Sequence, residues 1–127
     1  MALTTTGIDH VNLQVNDLEE SIKFWQCLLS FKVLESIPNQ DGAIIGTKES
    51  KLALYENANL GKVEKIGFSH LCFHVSDFDS ATSLCEELCI PILYEGIVSW
   101  PQSRSLYIQD PNGYEIELTD TWGGALG

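Results

Sequence analysis

The sequence predicts an α+β fold of two tandem βαβββ modules, and three observations carry that prediction. The first is an internal repeat. Gly7-Ile8-Asp9-His10-Val11-Asn12-Leu13-Gln14-Val15-Asn16-Asp17 returns sixty positions later as Gly67-Phe68-Ser69-His70-Leu71-Cys72-Phe73-His74-Val75-Ser76-Asp77, with Gly, His, Val and Asp at a constant offset. Leu28 and Leu88, Glu35 and Glu95, and Ile37 and Ile97 extend the match. The second is that each copy passes from two-residue to helical periodicity at the same point. The third is that short strand-like runs follow each helical stretch. Only two copies fit in 127 residues, so the repeat is a duplicated unit and not a solenoid.

The elements follow in order. From Ile8 to Val15 apolar and polar residues alternate, which sets Val11, Leu13 and Val15 on one face of a strand and His10, Asn12 and Gln14 on the other. In the second copy Leu71, Phe73 and Val75 take the oily face, leaving His70, Cys72 and His74 opposite. Asp17 and Asp77 then read as helix N-caps or adjoining turn residues. Leu18, Ile22, Trp25 and Leu29 recur at helical spacing, as do Phe78, Ala81, Leu84 and Leu88, giving helices over Leu18 to Leu29 and Phe78 to about Leu88. Strands are expected at Lys32 to Ile37, Gly42 to Gly46 and Leu52 to Tyr55, and again at Ile92 to Tyr94, Ser105 to Gln109 and Tyr114 to Thr119. Asp110-Pro111-Asn112-Gly113 carries the residues of a tight turn between antiparallel strands. The polar run Asn57 to Lys65 reads as a linker, so one domain spans 1–127 with module one at about 7–57, a linker at about 58–65 and module two at about 66–120. The tail Gly123 to Gly127 is expected to be mobile.

Composition narrows the function. At 44% hydrophobic residues the chain can bury one sizeable core. A formal charge of −11 with seven scattered basic residues argues against nucleic acid and anionic membranes, which require clustered Lys and Arg. No signal-like N-terminus and no long apolar run is present, so a cytoplasmic protein is expected. Cys27, Cys72, Cys85 and Cys89 lack the spacing of a disulfide framework or zinc site and read as reduced thiols, with Cys85 and Cys89 as small buried hydrophobes.

Histidines at the same place in two copies of one strand can meet across a pseudo-symmetric cleft. With a carboxylate they would form a facial His, His, Glu set that leaves coordination positions open. Glu115 and Glu117 share one side of the last strand, so parity alone allows either.

The motifs Asp9-His10-Val11-x-Leu13-x-Val15-x-Asp17, Phe24-Trp25 with Leu28-Leu29-Ser30-Phe31, His70-Leu71-x-Phe73-x-Val75 and Tyr107-Ile108-x-Asp110-Pro111-Asn112-Gly113-Tyr114-x-Ile116-Glu117-Leu118 occur in an order and spacing that resembles the vicinal oxygen chelate superfamily, the glyoxalase, bleomycin-resistance and dioxygenase group. The resemblance covers nearly the whole chain. It implies two βαβββ modules whose sheets form a cupped cleft around one divalent metal ion (Fe, Mn, Ni or Zn), held by His10, His70 and Glu117, which selects Glu117 over Glu115. It also implies a small oxygen-bearing substrate and a homodimer, in some members with exchanged modules.

Three chemistries are open by that resemblance. Glyoxalase I-like lyases and isomerases add a fourth carboxylate where this chain has Ala53, with Glu56 three residues on and facing the other way. Fosfomycin-resistance-like thiol transferases share the three ligands and a substrate-contacting tyrosine matched by Tyr107, but here Asn12 replaces a threonine and no basic residue follows Glu117, leaving Arg104 to compensate. Extradiol dioxygenase-like members would give His74 an acid or base role. Asn12, Gln14, Cys72, Trp100 and Arg104 complete the expected substrate-binding set, with Trp122, Phe68 and Tyr114 as further aromatic lining. The alternative from another class is a metal-free binding protein like the bleomycin-sequestering members, for which an acidic chain suits a cationic ligand.

Overall fold

The computed structural model describes residues 1–123, so the expectation for 124–127 lies outside the described residues. The chain divides into two compact units between Gly61 and Lys62, inside the polar run.

The first unit comprises β1 (Val11–Val15), α1 (Leu18–Leu29), β2 (Lys32–Ile37), β3 (Gly42–Gly46) and β4 (Lys51–Glu56), with a 3-10 turn at Pro38–Gln40. Its sheet order is β1-β4-β3-β2, with β1 parallel to β4 and the other pairs antiparallel. The second unit repeats this as β5 (His70–His74), a 3-10 turn at Phe78–Ser80, α2 (Ala81–Glu87), β6 (Val98–Trp100), β7 (Ser103–Gln109) and β8 (Glu115–Thr119), in order β5-β8-β7-β6. Each unit is therefore βαβββ, as the repeat predicts.

Local chemistry sets the element ends. Asp17 has extended backbone and its carboxylate accepts from Glu20 N–H at 3.0 Å, so one orphan donor of α1 is satisfied, while Glu19 and Glu20 sit favourably in the positive first turn. Glu56 accepts from Leu18 N–H at 2.9 Å and closes a second orphan. Ser30 in the left-handed conformation (φ 57°) ends the helix. The buried stripe is Ser21, Trp25 and Leu28, whereas Leu18, Ile22 and Leu29 of the expected stripe are partly exposed. In the second unit Asp77 takes the Ser80 hydroxyl at 2.7 Å instead of capping a backbone N–H, and the chain makes a 3-10 turn before α2 begins at Ala81.

Cores follow strand parity. In the first unit Leu13, Val15, Ala43, Ile45, Leu52 and Leu54 are buried along with Trp25 and Leu28 of α1, and in the second Leu106, Ile108, Ile116 and Leu118 are buried along with Phe78, Ala81 and Cys85. Each large apolar side chain buried this way contributes about 2 kcal/mol before chain entropy is counted. The predicted turn closes β7 on β8: Asp110 accepts from the backbone N–H of Asn112 and Tyr114, and Gly113 takes φ 100°.

Two expectations are corrected. Ile92 to Tyr94 does not form a strand; Ile92 alone bridges Ile108, and the strand that follows α2 is Val98–Trp100. Tyr94, Glu95 and Gly96 all have positive φ (55°, 65° and 107°), a run that breaks the ladder until pairing resumes at Val98. Cys89 is exposed in the left-handed region, so only Cys85 is the buried hydrophobe.

Candidate functional site

On the face of the second sheet opposite α2, register builds three polar rows: His70, Glu115 and Gln109; Cys72, Glu117 and Tyr107; His74, Thr119 and Ser105. Strand alternation puts all nine on one side.

His70 and Glu117 are the centre of this face. His70 Nε2 lies 2.9 Å from Glu117 Oε1, and the Ser105 hydroxyl donates to Glu117 Oε2 at 2.5 Å. Glu117 is fully buried, and among the described residues its ion-pair partner is His70 alone. A buried carboxylate without a Lys or Arg is costly unless its charge is met in another way. Ser69 Oγ stands 2.8 Å from His70 Nδ1. A hydroxyl can donate or accept, so Ser69 serves either imidazole tautomer: it accepts when Nδ1 carries the proton and Nε2 offers a lone pair.

Tyr107 is buried and packs edge-on against His70 (centroids 5.7 Å). Burial, then the Glu117 charge, pushes its phenol up, so at neutral pH it is an O–H donor. Cys72 keeps an exposed edge, yet the surrounding protein and Glu117 push its thiol up to about 12; it stays a thiol and not a thiolate at neutral pH. His74 is exposed, with Nε2 2.8 Å from the Thr121 carbonyl, which leaves Nδ1 as a proton acceptor. Trp100 stacks on Trp122 (5.0 Å) and donates to Ser105 Oγ at 3.2 Å.

Glu115 shares the face and has partners of its own. Burial pushes its carboxyl up, but hydrogen bonds from Lys65 and Tyr94 outweigh this and lower it overall. Its nearer oxygen is 3.8 Å from His70 Nδ1. Arg104, expected in the substrate set, is turned by parity to the opposite face, where it lies over the Phe78 ring and binds Asp120 and Asp79, each at 2.9 Å.

The first unit is the same scaffold with other side chains. Val11 pairs Leu52 and Leu71 pairs Ile116, so the repeat equates Asn12 with Cys72 and Ala53 with Glu117; by the same register Ile44 stands for Tyr107 and Gly42 for Ser105. Asn12 and Gln14 are exposed neighbours on this face. His10 immediately precedes β1; its Nδ1 is 2.9 Å from Asp9, whose other oxygen takes Lys51 Nζ at 2.7 Å. Lys51 first, then His10, lowers the Asp9 carboxyl. With Nδ1–H donating to Asp9, His10 Nε2 is left as a ligand lone pair. Asp9 and Ser69 occupy equivalent repeat positions, so both copies place a ring-orienting group just before the histidine; that signal was present in the sequence. Ser105 and Tyr94 carried none beyond strand parity.

The donor set suits a divalent ion. Two ligands at about 2.1 Å from one ion and at right angles stand about 3 Å apart, close to the His70 to Glu117 separation. Among the described residues no group of three or more His, Cys, Asp and Glu side chains forms a ready cage. No described helix is long and apolar enough to cross a membrane.

Fold and site together define a duplicated βαβββ protein with a histidine and carboxylate on one face of the second sheet. The chain belongs to the Glyoxalase/Bleomycin resistance protein/Dioxygenase superfamily, whose model matches residues 7–118. It is 27% identical over 115 residues to metallothiol transferase FosB of Staphylococcus haemolyticus, covering 88% of this chain and 81% of that one. It is 29% identical over 124 residues to lactoylglutathione lyase of Escherichia coli O157:H7, covering 87% and 90%. In fold it is similar to the fosfomycin resistance protein FosX of Listeria monocytogenes (TM-score 0.77, 20% identity, 97% of each chain).

Proposed function

We propose that the protein is a divalent-metal-dependent enzyme acting on a small oxygen-bearing molecule, with His10, His70 and Glu117 as the metal ligands and with Fe, Mn, Ni or Zn as the ion. The observation that carries this reading is Glu117: a fully buried carboxylate, hydrogen-bonded by Ser105 and touching an imidazole, with no Lys or Arg among the described residues paired to it. His10 supplies the third donor by its repeat equivalence to His70. The relatives support an enzyme of this superfamily, and our reading takes it to act in the cytoplasm with its thiols reduced.

A divalent ion at this site supplies Lewis acidity toward substrate oxygens. The chain's own groups do the rest. Tyr107, kept protonated, donates to an oxygen on which negative charge develops. His74 takes or returns a proton at Nδ1 while Thr121 fixes its ring. Asn12 and Gln14 orient the substrate from the first unit.

Register bears on which chemistry. Ala53 stands where Glu117 stands in the second unit, and Glu56 caps α1, so a four-ligand lyase lacks its carboxylate. Arg104 is committed to two aspartates, so a phosphonate-binding transferase lacks its cation. A three-ligand enzyme for an uncharged substrate fits best.

Elemental analysis of protein purified without chelator or tag-bound metal tests the reading, followed by titration of the stripped protein with Fe(II), Mn(II), Ni(II) and Zn(II). About one ion per chain is expected, and preference for Fe(II) points to oxygen chemistry. His10→Ala, His70→Ala and Glu117→Ala should each lower affinity by about a hundredfold or more with the fold intact, whereas Glu115→Ala should not. No uptake at micromolar metal overturns the reading in favour of a ligand-holding cup.

A further inference from the structure

We propose that a hollow on the site face of the second unit holds a flat, uncharged aromatic ring between Tyr94 and Trp100. This deepens the function proposed above, because it names the substrate class of the same site.

The hollow has a volume of about 330 Å³ and is lined by Tyr94, Val98, Trp100 and Tyr107, with Ser69, His70 and Glu115 as its polar lining. That is room for one ring with substituents, since a cavity of about 150 Å³ already accepts benzene. Its surface is mainly apolar, and three of its walls are aromatic.

Both gripping residues are held in place before any ligand arrives. Tyr94 adopts φ 55°, a conformation unfavourable for a bulky side chain, and is followed by two more positive-φ residues. Its hydroxyl donates to Glu115 and accepts from Lys65 at 2.9 Å, while its ring packs edge-on against Tyr107 at 5.4 Å. Trp100 is backed by Trp122 and anchored through Ser105. Yet Tyr94 is 57% and Trp100 37% exposed, so each retains aromatic surface for another ring to cover.

Charge decides what kind of ring. From Lys62 to Gly123 there are ten acidic and three basic residues. Lys65 is bound to Glu115, and Arg104 is bound to Asp79 and Asp120 on the opposite face. An anionic substituent would meet Glu115, where Lys65 is already engaged. A neutral ring carrying hydroxyl or carbonyl oxygens toward His70 meets no such penalty.

The test is calorimetric titration of the whole protein with 2-naphthol and with 2-naphthalenesulfonate, in metal-stripped and metal-loaded samples. The neutral probe is expected to bind once per chain without metal, and the sulfonate at least about tenfold more weakly. Tyr94→Ala and Trp100→Ala should each weaken 2-naphthol about tenfold, and Trp100→Phe should retain affinity within about threefold. Both positions are partly exposed, so the substitutions empty no core, and circular dichroism checks the fold. Sulfonate binding as tight as naphthol, or alanine variants that bind normally, overturns the proposal. Metal uptake on the same samples separates the two readings: ring binding without metal uptake removes only the metal, and metal uptake without ring binding removes only the ring.

Discussion

Glu117 is gripped from two sides, by His70 on one oxygen and Ser105 on the other, and the two contacts have different consequences. Ser105 fixes the carboxylate's rotation without contributing charge, which is the usual way an outer group supports a ligand. Ser105→Ala should therefore weaken metal binding about tenfold, measured by competition with a chromophoric chelator, and should also lower stability in urea by about 1–3 kcal/mol, because it leaves a buried carboxylate oxygen unpaired. A second residue-scale prediction concerns acid. Arg104 N–H, then its guanidinium, hold the Asp120 carboxyl well below its ordinary 3.8. A depressed carboxylate gives stability that is fully present above 3.8 and lost as pH falls toward its folded-state value. Asp120→Asn should lower stability at pH 7 and flatten the decline in urea midpoint between about pH 5 and about pH 2.

Helices and strands were largely legible because their signals are periodic. α1 begins and ends where Asp17 and Leu29 place it, and β2 and β3 match their expected spans residue for residue. The second strand of the second unit was not legible, because Ile92-Leu93-Tyr94 has the composition of a strand while the chain enters a left-handed run at Tyr94 to Gly96 that composition does not encode. At this scale Asp17→Ala should cost about 1 kcal/mol through the lost cap. Gly46→Ala should cost more, about 2 kcal/mol or above, because φ is 144° and an added Cβ would lie 2.0 Å from the Ser50 carbonyl oxygen. Urea melts of the two variants check the order.

At the scale of the molecule, the sequence offered the His, His, carboxylate set through the repeat, and family resemblance chose between Glu115 and Glu117. Register adds a reason for that choice: Glu115 is already engaged by Lys65 and Tyr94. Arg104 could not be excluded from sequence until strand parity was fixed, since the expected strand began one residue beyond it. We expect a homodimer in sedimentation. If modules exchange, mixing His10→Ala with Glu117→Ala chains should restore some metal-binding sites; no recovery in proven heterodimers removes exchange.

The duplication also bears on inheritance. One copy carries Tyr107, Ser105 and Glu117 on its site face, while the other carries Ile44, Gly42 and Ala53 at the same registers. Gly42 has no freedom, because a Cβ there would lie 2.5 Å from the Tyr55 ring. Ile44 is only partly buried, and Ala53 is a small buried residue. Mutations at those two positions could alter the ligand chemistry of the first copy while the second continues its task, so a lineage could explore new reactions on one half of the gene without first surrendering the old one.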